Sequence, residues 1–175
     1  LQQMDMAVEQ AETAQVLVLT GVGKVFSAGA DLDEAKAGLA TDPVWEQLSG
    51  RIAAFPGLSI AALNGTLAGG AFGMALACDI RLSVPGARFF YPVMKLGFLP
   101  QPSDPIRLAR LVGPARAKMI LMAGQKIDAA EALSWGLIDR ICTPEALQDE
   151  VSALIADATA ATPAHVAAIK AMIPA

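Results

Sequence analysis

Two short turns of small residues are the part of this sequence best suited to hold a reacting group. Residues 28–31 read Ala-Gly-Ala-Asp and residues 68–71 read Ala-Gly-Gly-Ala, and each turn follows a predicted buried strand. Because side chains this small leave the backbone open, a ligand can come close to its N–H groups. The second turn also opens a predicted helix, whose first N–H groups lack partners and lie at the positive end of the helix dipole.

Two such N–H donors converging on one oxygen would form an oxyanion hole, which stabilises negative charge that develops during a reaction. The glycines also have a purely structural explanation, because they permit close packing of the backbone. The residues by themselves leave both interpretations open.

Two glycine motifs of nucleotide-binding proteins are incomplete. Gly21 and Gly23 follow a predicted strand, but Phe26 stands where a dinucleotide-binding fingerprint requires its third glycine. Gly23 and Lys24 are similar to the end of a phosphate-binding loop, yet Val25 occupies the place of the Ser or Thr that would hold magnesium. We therefore do not expect a nucleotide site of either kind.

Nucleophilic and metal chemistry are not expected either. Ser27 lacks a G-x-S-x-G context, and the single histidine, His165, lies far along the chain, where we expect an exposed helix residue. The cysteines, Cys78 and Cys142, form no C-x-x-C pair and no cluster with histidine. This pattern predicts no metal site, no disulfide framework and a reducing, cytoplasmic location.

The composition is typical of a folded domain. The 175 residues are 54% hydrophobic and 17% charged, which excludes a disordered chain. A net charge of −4 argues against nucleic-acid binding, which requires a basic surface, but allows a small anionic ligand held by a few cations. Because the apolar content exceeds what a monomer of this size is expected to bury, we expect an oligomer.

The apolar pattern predicts an α/β fold. Apolar runs at 16–19 and 58–63 predict strands buried on both faces of a parallel sheet, and two further strands are predicted at 79–83 and 88–91. Residues 65–70 are predicted as a glycine-rich turn, and residues 92–105, with four prolines, as an ordered loop or lid. The composition changes near Gly113 from α/β to all-helical. Helices are predicted at 4–14, 32–39, 45–54, 71–78, 107–112, 114–123, 129–135, 144–161 and 165–172.

Residues 60–78 also have an alternative explanation as a membrane helix. They are nineteen residues without a charge, and Gly65, Gly69 and Gly73 are spaced as in packed transmembrane helices. Against this, Asn64-Gly65 is a turn signal, and the glycine pair at 69–70 weakens any helix drawn through it. We expect a buried strand, a turn and a short helix, and thus no membrane.

Several motifs occur in a fixed order along the chain. They are VLVLTG at 16–21, FSAGADL at 26–32, IAALNG at 60–65, the glycine pair at 69–70, ALACD at 75–79, KLG at 95–97, LVG at 111–113 and ALSWGL at 132–137. Together they resemble the crotonase (enoyl-CoA hydratase/isomerase) superfamily over nearly the whole chain. Compared with that family, strands before Leu1 and part of the C-terminal helices are expected to be missing.

The resemblance implies a fold and a ligand. Residues 1–113 would form a core of ββα turns in a spiral, and residues 114–175 a helical segment that builds homotrimers or hexamers. The ligand would be an acyl-CoA thioester, so that coenzyme A is part of the substrate and no separate cofactor is bound.

The resemblance also implies the site residues. The N–H groups of Ala28 and Gly70 would form the oxyanion hole that stabilises a thioester enolate. The stretch from Ala28 through Gly29, Ala30 and Asp31 to Leu32 would contact the pantetheine and adenine groups, with Lys24 as a nearby cation.

The sequence departs from the family pattern at both acid/base positions. Hydratases carry a glutamate three residues after the oxyanion glycine and another after the proline that follows the fourth strand. Gly73 and Val93 stand at these places. Each general acid or base contributes roughly 10²–10⁴ in rate, so hydration is not expected, and single-base isomerisation through the second glutamate is not expected either.

The loop at 91–104 offers substitutes for the missing glutamates. Asp104 is the best candidate base and Tyr91 the second, while Lys95, Gln101 and Ser103 are further polar residues of the loop. The structural alternative is that Asp104 caps a helix beginning near residue 106.

Two functional hypotheses follow. The first is a crotonase-superfamily acyl-CoA enzyme that keeps the oxyanion hole and has diverged in its acid/base residues. The second is a non-catalytic acyl-CoA-binding member, or a partner subunit of a mixed oligomer.

Overall fold

The computed structural model describes residues 1–11, 13–29 and 38–173. The strands are β1 (Val16–Thr20), β2 (Val25–Ser27), β3 (Leu58–Leu63), β4 (Thr66–Ala68), β5 (Ile80–Ser83), β6 (Arg88–Phe90), β7 (Ile127–Asp128) and β8 (Arg140–Ile141). The helices are α1 (Gln2–Gln10), α2 (Val44–Ala54), α3 (Phe72–Ala77), α4 (Val93–Leu96), α5 (Asp104–Val112), α6 (Pro114–Leu121), α7 (Ala129–Trp135), α8 (Leu147–Ala160) and α9 (Pro163–Ala171). The helix predicted at 32–39 lies almost wholly outside the described residues.

From β1 to β6, the first strand of each successive pair belongs to one sheet and the second strand belongs to the other. The first sheet is parallel, in the order β1-β3-β5-β8. In the second sheet, β2, β4 and β6 are parallel neighbours and β7 is antiparallel to β6. A helix follows each of the later pairs, α3 after β4 and α4 after β6. This strand–strand–helix repeat confirms the predicted crotonase-like spiral.

Strand β1 is less buried than its sequence predicts. Leu19 is buried, but Val18 is 36% exposed and Thr20 is also exposed. The prediction that this strand is buried on both faces was therefore wrong. Strand β1 is at the end of the strand order, and the described residues cover only one of its faces.

The region predicted as a glycine-rich turn contains a strand. Thr66–Ala68 forms β4, whose Leu67 lies opposite Ser27 of β2 and Phe89 of β6. Three residues are too few to show an alternating pattern in the sequence. The partners of β4 come from distant parts of the chain, so only the tertiary structure identifies the strand.

The segment after Gly113 is not all-helical. Strand β7 extends the second sheet beside β6, and β8 extends the first sheet beside β5. These two-residue strands are too short to have a periodicity of their own. The division of the chain into 1–113 and 114–175 stays a prediction.

The predicted loop at 92–105 is partly helical as well, because α4 lies within it and α5 begins at Asp104. The core lies between the sheets and the helices, around fully buried side chains such as Leu48, Ile60, Phe72 and Leu108. Among the described residues, no helix combines the length and the apolar character needed to cross a membrane.

Candidate functional site

Gly29 of the first small-residue turn and Gly69 of the second lie in contact at one edge of the second sheet. Strands β2 and β4 are parallel neighbours, so the residues that follow them emerge on the same side. A Cβ atom added at Gly69 would stand 3.2 Å from the Cα atom of Gly29. Both glycines have left-handed backbone angles, with φ of 100° at Gly29 and 63° at Gly69, a conformation that residues with a side chain rarely adopt.

Gly70 lies in the short 3₁₀ turn of residues 69–71 that leads into α3. At the start of a helix, the backbone N–H groups have no carbonyl partner within the helix. A Cβ atom at this position would stand 3.0 Å from the indole ring of Trp45. The ring itself is fixed, because Trp45 Nε1 donates a hydrogen bond of 2.8 Å to the carbonyl of Leu39. Trp45 therefore packs directly on the turn that holds the predicted Gly70 donor.

The other predicted ligand contacts are only partly described. Ala28 is exposed and Gly29 is half-buried beside the second turn. Lys24 is exposed immediately before β2, so the length of that strand separates it from Ala28. The remaining predicted contacts, Ala30, Asp31 and Leu32, lie outside the described residues.

Asp104 and Tyr91 form a buried hydrogen-bonded pair. The Tyr91 hydroxyl donates to Oδ2 of Asp104 at 2.9 Å, and it accepts a bond of 3.4 Å from the Gln101 N–H. The Tyr91 ring also stacks on Phe72 of α3, with the ring centroids 5.5 Å apart. Because α5 begins at Asp104 and not near residue 106, the explanation of Asp104 as the cap of such a helix was wrong.

The carboxyl group of Asp104 occupies the space that a side chain at position 73 would fill. A Cβ atom added at Gly73 would stand 2.7 Å from Asp104 Oδ1 and 3.2 Å from Oδ2. Gly73 is the position at which the resemblance leads us to expect a glutamate. A glycine inside a helix lowers stability by roughly 0.5–1 kcal/mol relative to alanine. A glycine at position 73 of the predicted helix was therefore a sequence signal that another group approaches the backbone closely there.

Burial raises the pKa of Asp104 from 3.8 to about 7. The hydrogen bond from Tyr91 and the charge of Arg107 act against this rise, while the charge of Glu46 adds to it. Asp104 Oδ1 has no hydrogen-bond partner among the described residues. The site thus holds a carboxyl group that can be protonated or ionised near neutral pH, and one of its oxygens has no partner in the described part of the chain.

Burial also raises the pKa of Tyr91, and the neighbouring Asp104 carboxyl raises it further. Tyr91 therefore stays a phenol and acts as a hydrogen-bond donor. Val93, at the second glutamate position, is buried and has no acid/base function.

The other polar residues of the loop have different surroundings. Lys95 is exposed, Gln101 is buried beside Tyr91, and Ser103 is bonded to Glu46. Sequence reasoning missed Trp45 and Glu46, because an amphipathic helix does not show which tertiary neighbours its residues meet.

A separate cavity of about 1070 Å³ lies at the opposite end of α3. Its lining includes Cys78, Asp79, Arg110, His165 and Lys170. Asp104, the second small-residue turn and the described residues of the first, Ala28 and Gly29, are not among its lining residues. His165 is exposed in α9, as expected for a helix surface residue.

Comparison with known proteins identifies relatives of this chain. A family model described as Enoyl-CoA hydratase/isomerase matches residues 1–175. Carnitinyl-CoA dehydratase of Citrobacter koseri is 37% identical over 166 residues, which cover 89% of this chain and 62% of that protein. Carnitinyl-CoA dehydratase of Salmonella arizonae is 36% identical with the same coverage. The chain thus spans about 62% of the length of these curated relatives.

Solved structures agree with this relationship. An enoyl-CoA hydratase/carnithine racemase of Magnetospirillum magneticum superposes with a TM-score of 0.87 at 29% identity, covering 97% of this chain and 68% of that one. An enoyl-CoA hydratase of Bacillus anthracis superposes with a TM-score of 0.84 at 28% identity, covering 95% and 68%. With the family model, the motifs and the fold in agreement, this chain belongs to the enoyl-CoA hydratase/isomerase (crotonase) family.

Proposed function

We propose that this protein is an enzyme that moves a proton at the carbon next to the carbonyl group of an acyl-CoA thioester. The oxyanion hole would consist of the N–H groups of Ala28 and Gly70, and Asp104 would carry the proton. The observation that carries this proposal is the position of the Asp104 carboxyl at Gly73, where the family pattern has a glutamate. One acid/base group is thus supplied by α5 instead of α3.

The proposed reaction needs one carboxyl group and two amides. The ionised Asp104 takes a proton from the α-carbon, and the electrons of the C–H bond move onto the thioester oxygen. Two N–H donors stabilise the resulting enolate, and one such donor is worth about 2.7–4 kcal/mol in enzymes where it was removed. Protonated Asp104 then returns the proton to carbon. A pKa near 7 suits both steps, because each protonation state is populated near neutral pH.

Tyr91 supports this reaction by occupying one oxygen of the carboxyl group. Its hydroxyl holds Oδ2, which leaves Oδ1 as the oxygen available for proton transfer. With Gly73 and Val93 in place of the two glutamates, we propose proton transfer on carbon and not addition of water.

The ligand and the assembly belong to the same proposal. Acyl-CoA would be held by the stretch from Ala28 to Leu32, with Lys24 at the far end of β2 as a weaker candidate contact. No further cofactor is proposed. The assembly would be a homotrimer or hexamer.

The alternative is an acyl-CoA-binding protein without turnover. It is favoured by the complete burial of Asp104, whose side chain must become accessible before it can meet a substrate. Binding without exchange of the α-proton distinguishes this alternative from the enzyme.

The decisive experiment measures exchange of the α-proton of several acyl-CoA thioesters in D2O by NMR. We expect exchange by the wild-type protein and a rate that is roughly 10²–10⁴-fold lower in Asp104→Asn. Binding of acyl-CoA, measured by calorimetry, should change little, because the proposed donors for the thioester are backbone amides. Asp149→Asn, an exposed position on α8, is the matched control and should exchange at the wild-type rate.

Undiminished exchange in Asp104→Asn would remove Asp104 from the mechanism. If the wild-type protein binds acyl-CoA thioesters but exchanges none of them, the non-catalytic alternative is correct.

A further inference from the structure

One helix contacts both parts of the proposed site. Trp45 and Glu46 are consecutive residues of α2, and they point in different directions because helical residues are about 100° apart around the axis. The Trp45 ring packs on Gly70, in the turn of the proposed oxyanion hole. Glu46 contacts Ser103, the residue immediately before Asp104. Helix α2 therefore connects the proposed anion-binding turn with the proposed proton carrier.

The contact between Glu46 and Ser103 uses both oxygens of the carboxylate. Glu46 Oε2 accepts a hydrogen bond of 3.2 Å from the Ser103 N–H, and Oε1 accepts one from the Ser103 hydroxyl. Ser103 is the N-cap residue of α5, but its hydroxyl makes no capping bond within its own helix. The hydroxyl is instead directed at Glu46, whose negative charge also suits the positive end of the α5 dipole.

A second polar contact joins the same two helices one turn further along. Arg107 Nη1 of α5 donates a bond of 3.0 Å to the hydroxyl of Ser49 on α2. Ser49 is fully buried, and its hydroxyl donates a bond of 3.1 Å to the backbone carbonyl of Glu46. Residues three and four apart share a helix face, so Ser103 and Arg107 both face α2. Along the chain, their two contacts with α2 lie on either side of Asp104.

We propose that Glu46 is a positioning residue that holds the first turn of α5 so that the Asp104 carboxyl stays beside Gly73. This inference deepens the proposed function and rests on it, since it assigns the group that fixes the proton carrier. Without the Glu46 contact, the Arg107–Ser49 bond would be the one remaining polar side-chain contact between the first turn of α5 and α2 among the described residues. Ser103 and Asp104 could then shift together.

Glu46 also acts on Asp104 through charge. Among the residues that the structure describes, the charged or titratable groups facing Asp104 are Tyr91, Arg107 on α5 and Glu46 on α2, while α3 contributes Gly73 at this point. Burial is the main cause of the raised pKa of Asp104, and the negative charge of Glu46 raises it further. Replacing Glu46 by an uncharged residue therefore lowers the pKa of Asp104.

The test compares the pKa of Asp104 and the exchange kinetics in Glu46→Gln and Ser103→Ala. The carboxyl resonances of ¹³C-labelled aspartate are titrated by NMR, and Asp104→Asn identifies the signal of Asp104. In E46Q we expect a lower pKa of Asp104, a pH–rate profile displaced to lower pH, and kcat roughly 10–100-fold lower with little change in KM. In S103A, which keeps the charge of Glu46, we expect a lower kcat without displacement of the profile.

Glu9→Gln is the matched control. Glu9 lies 3.1 Å from Arg51, at the other end of α2, and its substitution should leave the Asp104 titration unchanged. If E46Q has the wild-type Asp104 pKa and kcat while Asp104→Asn is inactive, the positioning role of Glu46 is wrong and the proposed function stands. If E46Q shifts the pKa but Asp104→Asn exchanges normally, the Glu46 contact is supported and the proposed function fails. Should E46Q not fold, wild-type kcat in S103A would overturn the inference.

Discussion

Burial and hydrogen bonding have opposite effects on the pKa of the Asp104 carboxyl group. Burial disfavours the ionised form and raises the pKa to about 7, while the Tyr91 hydroxyl stabilises the anion through Oδ2. The result is a group that can change its protonation state near neutral pH inside the protein. General acid/base catalysis requires such a group, and an exposed aspartate with its ordinary pKa of 3.8 would not provide it.

The raised pKa of Asp104 predicts how stability depends on pH. Between pH 3.8 and about 7 the folded state holds a proton that the unfolded state has lost, so stability falls as pH rises. Within this pH range the free energy of unfolding falls by ~1.4 kcal/mol per pH unit, or roughly 4 kcal/mol in total. Above it, the ionisation of Asp104 causes no further change. We expect the difference in unfolding free energy between wild type and Asp104→Asn to follow this curve.

Urea denaturation of both proteins from pH 4 to pH 8 measures this difference. The asparagine variant is its own control, because every other titrating group is shared. A difference that does not change with pH would mean that Asp104 has the same pKa in the folded and unfolded states.

At the scale of the elements, α3 is held at both ends by groups from other parts of the chain. Trp45 packs on the turn before it, and Arg81 of β5 binds the carbonyl groups at its C-terminal end. The Arg81 side chain is 5% exposed, and it donates a bond of 2.6 Å to the Cys78 carbonyl and one of 2.9 Å to the Leu137 carbonyl. A guanidinium at the C-terminus of a helix also suits the helix dipole.

Arg81→Met is expected to destabilise the protein by about 3–5 kcal/mol, because it leaves several buried carbonyl groups without a donor. Arg88→Met is the matched control, since the Arg88 side chain is 59% exposed and pairs with Asp128 at 3.4 Å. Surface pairs of this kind are worth about 1 kcal/mol or less. Equal losses in the two variants, measured by chemical denaturation, would contradict the role of Arg81.

At the scale of the whole molecule, apolar side chains remain exposed on α9 and on residues that follow α6 and α9. Met122 is 60% exposed, Ile169 is 49% exposed, and Met172 and Ile173 are 81% and 68% exposed. Exposed apolar side chains favour association with another protein surface. They support the proposal of a trimer or hexamer, which was also expected from the high apolar content of the sequence.

Light scattering coupled to size-exclusion chromatography tests this assembly. We expect a mass of three or six chains at micromolar concentration, with no other protein present. A monomeric mass at every concentration would contradict the proposed assembly. A second protein that co-purifies with this chain in the same chromatographic peak would support the partner-subunit alternative.

The sequence by itself determined the family, the four strands β1, β3, β5 and β6, and most of the helices. Long apolar runs such as 58–63 specify a buried strand locally, and small residues at 28–29 and 68–71 mark turns where the backbone can be approached. The same information identified the absence of glutamate at Gly73 and Val93. It also identified Asp104 and Tyr91 as candidate acid/base residues, but it left open the alternative that Asp104 caps a helix.

Only the tertiary structure decided which groups meet. The short strands β2, β4, β7 and β8 exist through pairing with distant segments, which no local pattern encodes. The approach of Asp104 to Gly73 joins residues of two helices that are far apart in sequence, and Glu46 reaches Ser103 from a third helix. The raised pKa of Asp104 has the same origin, because burial is a property of the packed molecule and not of the residue.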